Sequence, residues 1–172
     1  LADKYRMPAM MLADGMLGQM MEPVSFPEDY TPIKADKSWA TNGHQNKRPH
    51  NIVNSLYLQA DELEQLVVDR FARYEQVKQN EVLVECENTE DADYIVVAYG
   101  ATARIAKAAV KAAREKGLKI GCIRPITVWP FPTEEIAAAA EGCKGFLCVE
   151  MSMGQMVDDV RLAANCAVPV HF

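Results

Sequence analysis

Two short stretches with acids, glycines and an amide at matched spacing are the first positions to test for chemistry. Asp14-Gly-Met-Leu-Gly-Gln-Met20 and Glu150-Met-Ser-Met-Gly-Gln-Met156 each set a carboxylate at the end of an apolar run and place Gly-Gln-Met four to six residues later. A glycine and a primary amide there would let backbone approach a ligand or another subunit. The same residues also make ordinary strand-to-helix turns in which methionine fills gaps. Tyr99-Gly100-Ala-Thr102 also falls where a strand meets a helix, a place able to hold an anion. It lacks the G-x-G-x-x-G of a dinucleotide site, and a tight turn with a capping Thr102 is the favoured account of it. Arg124-Pro-Ile-Thr-Val-Trp-Pro-Phe-Pro132 is dense in proline and aromatics, suiting either an interface surface or a rigid loop packed on its own domain. His44 and His50 lie in loop sequence and His171 in a terminal strand, and no two of the three share a triad or ligand pattern.

Composition narrows the field. The chain has 172 residues, 49% apolar and 24% charged, with a net charge of −6. That is the balance of an ordinary globular protein of one domain plus part of another. An acidic chain whose one basic cluster is Asn46-Lys-Arg48 is not built for a phosphate backbone, so no nucleic-acid partner is expected. No apolar run approaches the roughly 20 residues that span a bilayer, so no membrane partner is expected either. The five cysteines, at 86, 122, 143, 148 and 166, form no C-x-x-C and are odd in number. That pattern fits small hydrophobes in a reducing compartment, hence a cytoplasmic setting, and not a cluster or disulfide framework. Asp158 and Asp159 read as a solvated helix face. Leu1 opens the chain as if mid-element, suggesting a piece of something longer.

The elements that must position these residues follow from periodicity. Residues 8–13 read as a short buried strand reaching the Asp14-Gly15 turn, and 15–21 as a helical turn. Pro23, Pro27 and Pro32 and the Asn42-Gly43 signal make residues 22–54 irregular, best explained as an interdomain linker. Leu63, Leu66, Val67, Phe71, Tyr74 and Val77 set out one amphipathic helix from Leu56 to Gln79, with Gln59-Ala60-Asp61 as its candidate break, whose stripe must bury against something. Beyond it, strands are expected at 82–86, 94–99, 118–123, 145–150 and 168–171, and helices at 102–116, 133–141 and 155–165. Gly117 should close the first of these helices. Thr133 should cap the second, and Ser152 with Gln155 should form a capping box on the third. Continuous apolar strands and right-handed crossovers imply an α/β fold, a mostly parallel open sheet with helices on both faces.

Four motifs in order, Asp14–Met20, Val97-Ala-Tyr-Gly-Ala-Thr-Ala-Arg104, Ile123–Pro132 and Val149–Met156, together resemble the C-terminal part of the alpha subunit of 2-oxoacid:ferredoxin oxidoreductases, of the 2-oxoisovalerate or 2-oxoglutarate type. The resemblance implies a transketolase C-terminal-domain-like fold. It assigns residues 1–21 to the tail of a pyrimidine-binding domain, 22–54 to a linker and 55–172 to the transketolase C-terminal-like domain. It implies an anaerobic-metabolism enzyme that uses thiamine diphosphate, magnesium and iron–sulfur clusters to convert a 2-oxoacid, CoA and ferredoxin into acyl-CoA, CO2 and reduced ferredoxin. The partners it implies are a thiamine diphosphate-binding beta subunit, gamma and cluster-bearing subunits, ferredoxin and CoA. The activating glutamate and the diphosphate motif lie elsewhere, so no catalytic residue, metal ligand or bound cofactor is assigned to this chain, and its role is assembly. Asp14, Gly15, Gly18 and Gln19 are nominated as lying near the assembled site or a subunit seam. The alternatives are the equivalent domain of a lipoamide-linked dehydrogenase and a free-standing α/β anion-binding module.

Overall fold

The computed structural model describes residues 1–29, 31 and 34–172; of the linker prolines, Pro32 lies outside the described residues. Two units are distinguishable, one formed by residues 1–12 and 21–76, the other by 13–20 and 77–172.

In the first unit, α1 (Ala2–Tyr5) is a single turn. The Arg73 guanidinium donates to the Tyr5 carbonyl at 3.2 Å and the Arg6 carbonyl at 3.3 Å. Arg6 in turn lies over the Trp39 ring, 4.4 Å from its centroid. Residues 36–51 fold back on themselves. Arg48 donates to the Ala40 carbonyl at 3.1 Å and to Asn42 Oδ1 at 3.0 Å, and the Asn51 amide donates to the Ala40 carbonyl at 3.0 Å. The His44 and His50 rings sit 4.0 Å apart between centroids. Side chains thus supply the partners that regular structure would otherwise give this backbone, as in compact surface loops.

Residues 8–13 do not form the expected buried strand. Met10, Met11 and Leu12 are 81%, 96% and 73% exposed and no ladder joins them. An apolar run becomes a strand only where a neighbouring strand takes up its backbone groups. The long helix is present as α3 (Ala60–Asn80), starting at the foreseen break. Its stripe is only partly covered: Val77 is buried, whereas Leu63, Val67 and Phe71 stay exposed.

The second unit holds α2 (Gly15–Gln19), β1 (Val84–Glu87), β2 (Tyr94–Ala98), α4 (Gly100–Glu115), β3 (Ile120–Pro125), α5 (Thr133–Gly142), β4 (Gly145–Val149), α6 (Met156–Ala163) and β5 (Val170–His171). The sheet order is β1-β3-β2-β4-β5, with β1 antiparallel to β3 and every other pairing parallel. Side chains alternate across the sheet. Ile95, Val97, Ile123, Phe146 and Cys148 meet Ile136 and Ala140 of α5 and Val157 and Val160 of α6 in the larger core. On the other face, Ala98 and Cys122 meet Ala103, Ala106 and Val110 of α4. Each fully buried large side chain, such as Phe146 or Ile95, contributes about 1.5–3 kcal/mol by leaving water. The alanines of α4 lack bulk, which brings the helix axis close to the strands.

The third strand starts two residues later than its apolar run suggests. Leu118 donates its N–H to the Ala113 carbonyl and Gly117 donates to Arg114, a Schellman closure with Gly117 at φ +82. That cap consumes the residues that would otherwise extend the strand.

Candidate functional site

In an open parallel sheet the strands' carboxyl ends form a rim, with a crevice where neighbouring connections leave in opposite directions. Here β2 leads through α4 towards β3 and β4 leads through α6 towards β5, so the crevice lies beyond Ala98 and Val149. Tyr99–Thr102 and Glu150–Gln155 are its two lips. Thr102 Oγ1 donates to the Tyr99 carbonyl at 2.6 Å and approaches the Val149 carbonyl at 3.2 Å. It joins the lips but does not cap α4, because its hydroxyl faces carbonyls and not amides. Gly100, at φ +58, makes the turn itself.

Glu150 replaces the expected Ser152–Gln155 capping box. Its carboxylate accepts the Met156 and Val157 N–H groups, each at 3.1 Å, and the Ser152 hydroxyl. A strand-end carboxylate thus caps α6 from six and seven residues away, a range at which no local motif signals it. Burial works against its charge, but the Ser152 hydroxyl and the Met156, Val157 and Gln155 amides outweigh that and hold its pKa below the usual glutamate value. Asp159 is pushed up by burial and by the neighbouring Asp158 and Glu150 carboxylates. Thr133 likewise is not a cap: it is the first helical residue of α5, following Pro132.

The proline-rich loop is fastened to the sheet edge. Thr127 Oγ1 accepts the Leu83 N–H at 3.0 Å and donates to the Pro130 carbonyl at 2.8 Å. Phe131 and Pro132 turn inward, while Ile126, Val128 and Trp129 stay about half exposed. The loop is therefore packed on its own domain at Phe131 and Pro132 and left open to solvent at Ile126, Val128 and Trp129.

Asp14 Oδ1 accepts the Leu17 N–H at 2.7 Å and caps α2, and the Gly18 N–H reaches the Asp14 carbonyl at 3.3 Å. Gly15, Gly18 and Gln19 are exposed, and a Cβ on either glycine would meet nothing within 4 Å. Inside this chain the two glycines are therefore not needed for close packing.

An open groove of ≈ 620 Å³ beside α4 is lined by Glu87, Asn88, Lys107, Lys111 and Arg114 among others. Lys107 is held by Glu85 and Glu87, both at 2.6 Å, and Arg114 by Asp91 at 2.7 Å. Lys107 and Arg114 are thus already paired with carboxylates. Cys122, Cys143 and Cys148 are buried and all five thiols are free. Among the described residues no group of three or more His, Cys, Asp or Glu side chains is placed to hold a metal ion. No helix there is long and apolar enough to cross a membrane.

Residues 92–172 match the family model described as pyruvate:ferredoxin oxidoreductase core domain II. A ketoisovalerate oxidoreductase subunit of Methanothermobacter marburgensis is 47% identical over 166 residues, covering 96% of this chain and 47% of the relative. The chain belongs to the 2-oxoacid:ferredoxin oxidoreductase family. A 2-oxoglutarate synthase subunit of Methanothermobacter thermautotrophicus is 32% identical over 207 residues, covering 97% of this chain and 51% of that one. The chain thus spans about half the length of the curated relatives it matches. Among solved structures, the 2-oxoglutarate:ferredoxin oxidoreductase of Magnetococcus marinus superposes with a TM-score of 0.59 at 23% identity, covering 67% of this chain and 21% of that one, and so shares its fold. Neither the lipoamide-linked dehydrogenase nor the free-standing anion-binding module is favoured by these relatives.

Proposed function

We propose that the chain is the C-terminal portion of the alpha-type subunit of a thiamine diphosphate-dependent 2-oxoacid:ferredoxin oxidoreductase. The reaction joins a 2-oxoacid and CoA, releases CO2 and acyl-CoA, and passes two electrons to ferredoxin. The observation that carries this reading is the 47% identity to a ketoisovalerate oxidoreductase subunit along 96% of the chain. A branched-chain substrate such as 2-oxoisovalerate is favoured over 2-oxoglutarate, because identity to the 2-oxoglutarate synthase subunit is 32%.

Thiamine diphosphate, when bound in the assembled enzyme, supplies the carbanion-stabilising chemistry. No catalytic step is assigned to this chain's residues, because the resemblance places the activating glutamate and the diphosphate motif elsewhere in the assembled enzyme. Their proposed contribution is shape. Residues 1–21 end a pyrimidine-binding domain, 22–54 link it onward, and 55–172 form the transketolase-like domain that docks on the other subunits in the cytoplasm. Gly15, Gly18 and Gln19 form a small exposed knuckle capped by the half-buried Asp14, and its unfilled glycines leave room for a partner's backbone at a subunit seam.

The test is co-expression of the full-length subunit with its partner subunits, followed by CoA-dependent viologen reduction. Reduction with 2-oxoisovalerate exceeding that with 2-oxoglutarate is expected. Failure of every 2-oxoacid to reduce the dye in an assembled, cluster-loaded complex would overturn the reading.

A further inference from the structure

A backbone amide can attack an asparagine side chain when its N–H is free, no side chain crowds the ring that forms, and the side-chain carbonyl is polarised. Residues 36–51 bring these conditions together at Asn42–Gly43. Gly43 has no Cβ, and at φ +83 it borders open space, with nothing within 4 Å of where a Cβ would stand. Its N–H makes no hydrogen bond among the described residues. Both residues are exposed to the water that must finish the reaction.

The polarising group is Arg48. Its Nη2 donates to Asn42 Oδ1 at 3.0 Å, to the Ala40 carbonyl at 3.1 Å and to the Gly43 carbonyl at 3.4 Å. A guanidinium carries donors only, so the Asn42 atom that faces it is the amide oxygen. The Asn42 NH2 has no acceptor among the described residues and is free to leave. A cation on Oδ1 favours the negative charge that this oxygen gains when the side-chain carbon is attacked, as an oxyanion hole does. The other asparagines lack the combination. After Asn46, Asn80 and Asn165 the following amide is already tied, Lys47 donating to His44 at 2.8 Å, Glu81 to Val77 at 2.9 Å and Cys166 to Arg161 at 3.2 Å. Asn51, Asn54 and Asn88 precede Ile52, Ser55 and Thr89, whose side chains crowd the ring.

We propose that Asn42–Gly43 is a self-modifying site, at which the Gly43 nitrogen displaces ammonia from the Asn42 side chain with Arg48 as oxyanion donor. The Gly43 N–H gives its proton to solvent, the N–Cγ bond forms, and the Cγ–NH2 bond breaks as the leaving nitrogen takes a proton from water. Water then opens the cyclic imide at either carbonyl. Opening at Cγ leaves an aspartate at position 42, whose bond to Arg48 becomes charge-assisted and stronger. Opening at the main-chain carbon routes the backbone through the side chain and lengthens it by a methylene. That breaks the spacing at which Arg48 holds Ala40, Asn42 and Gly43 together. One reaction thus either tightens or loosens the 36–51 loop.

The assembled oxidoreductase containing the full-length subunit is incubated at pH 8 and sampled by peptide mapping, with aspartyl and isoaspartyl products separated by chromatography. Within residues 1–172, Asn42 is expected to lose its amide first. Its rate should at least equal that in the same subunit unfolded in guanidinium chloride, although ordered structure ordinarily slows this reaction. Loss led by another asparagine of residues 1–172, or slower at Asn42 in the folded complex than in the unfolded chain, overturns the proposal. Arg48→Gln keeps donors at that position but removes the charge. It should slow loss at Asn42 by about threefold or more, a small part of what an enclosed oxyanion donor is worth, because water competes at this exposed site. An unchanged or faster rate in that variant overturns the part assigned to Arg48. None of these readouts depends on which 2-oxoacid is turned over.

Discussion

Glu150 shows how one carboxylate can organise a whole turn. Because its folded-state pKa lies below the usual glutamate value, it stabilises the chain while charged. That stabilisation is complete above the ordinary value of 4.5 and is lost as pH falls through the lowered folded value. Glu150→Gln should therefore cost about 1 kcal/mol at neutral pH, the usual worth of a helix cap, with the gap to the unsubstituted chain closing in acid. Thermal melts at several pH values measure this, and a pH-independent gap would contradict it. The buried thiols make a second prediction. Burial pushes Cys148 up to about 12 and Cys122 up to about 11, so both stay protonated at pH 8. Iodoacetamide should modify the exposed Cys86 and Cys166 in the folded chain and reach Cys122 and Cys148 only in urea, as counted by mass shift.

At the scale of elements, ends are decided by backbone geometry and close approach. Gly117→Ala forces an L side chain into φ +82 at the α4 closure and should destabilise by about 1 kcal/mol. Gly121→Ala should cost more, because its Cβ would stand 2.7 Å from the Asn88 carbonyl oxygen and 3.1 Å from Ala92 Cβ. Backbone must move to admit it. Chemical denaturation of both variants checks the order, and equal losses would show that the Asn88 turn yields freely. The edge strand β1 is short, carries Glu85 and Glu87 and is overlaid by Lys107, so it is a poor template for pairing with another chain.

For the whole molecule, the decisive quantity is apolar surface left open to water. Met10, Met11, Met21, Phe26, Leu63, Phe71, Ile105 and Leu147 are all exposed, on segments from both units. Exposed apolar area marks a contact surface where it is contiguous, and the proposed assembly role expects some of these residues to be covered by partner subunits. Residues 1–172 by themselves should bind the dye ANS and associate with rising concentration in sedimentation velocity, whereas the assembled oxidoreductase should do neither. A dye-silent monomer would argue against the assembly role.

The strand-and-helix alternation, the mostly parallel character of the sheet and the closure at Gly117 were legible in the residues, because each depends on neighbours within a few positions or on apolar runs that only a two-sided sheet can bury. The family, too, was readable from four short motifs in order. Caps and contacts were decided by the tertiary structure. Ser152 and Thr133 have the right type for caps, yet Glu150 reaches α6 from a strand end and Pro132 precedes α5. Residues 8–13 have strand-like composition but no strand beside them, and the α3 stripe at Leu63, Val67 and Phe71 has little to lie against. Local pattern determines which side chains prefer burial; only the folded arrangement determines whether a partner surface stands opposite them.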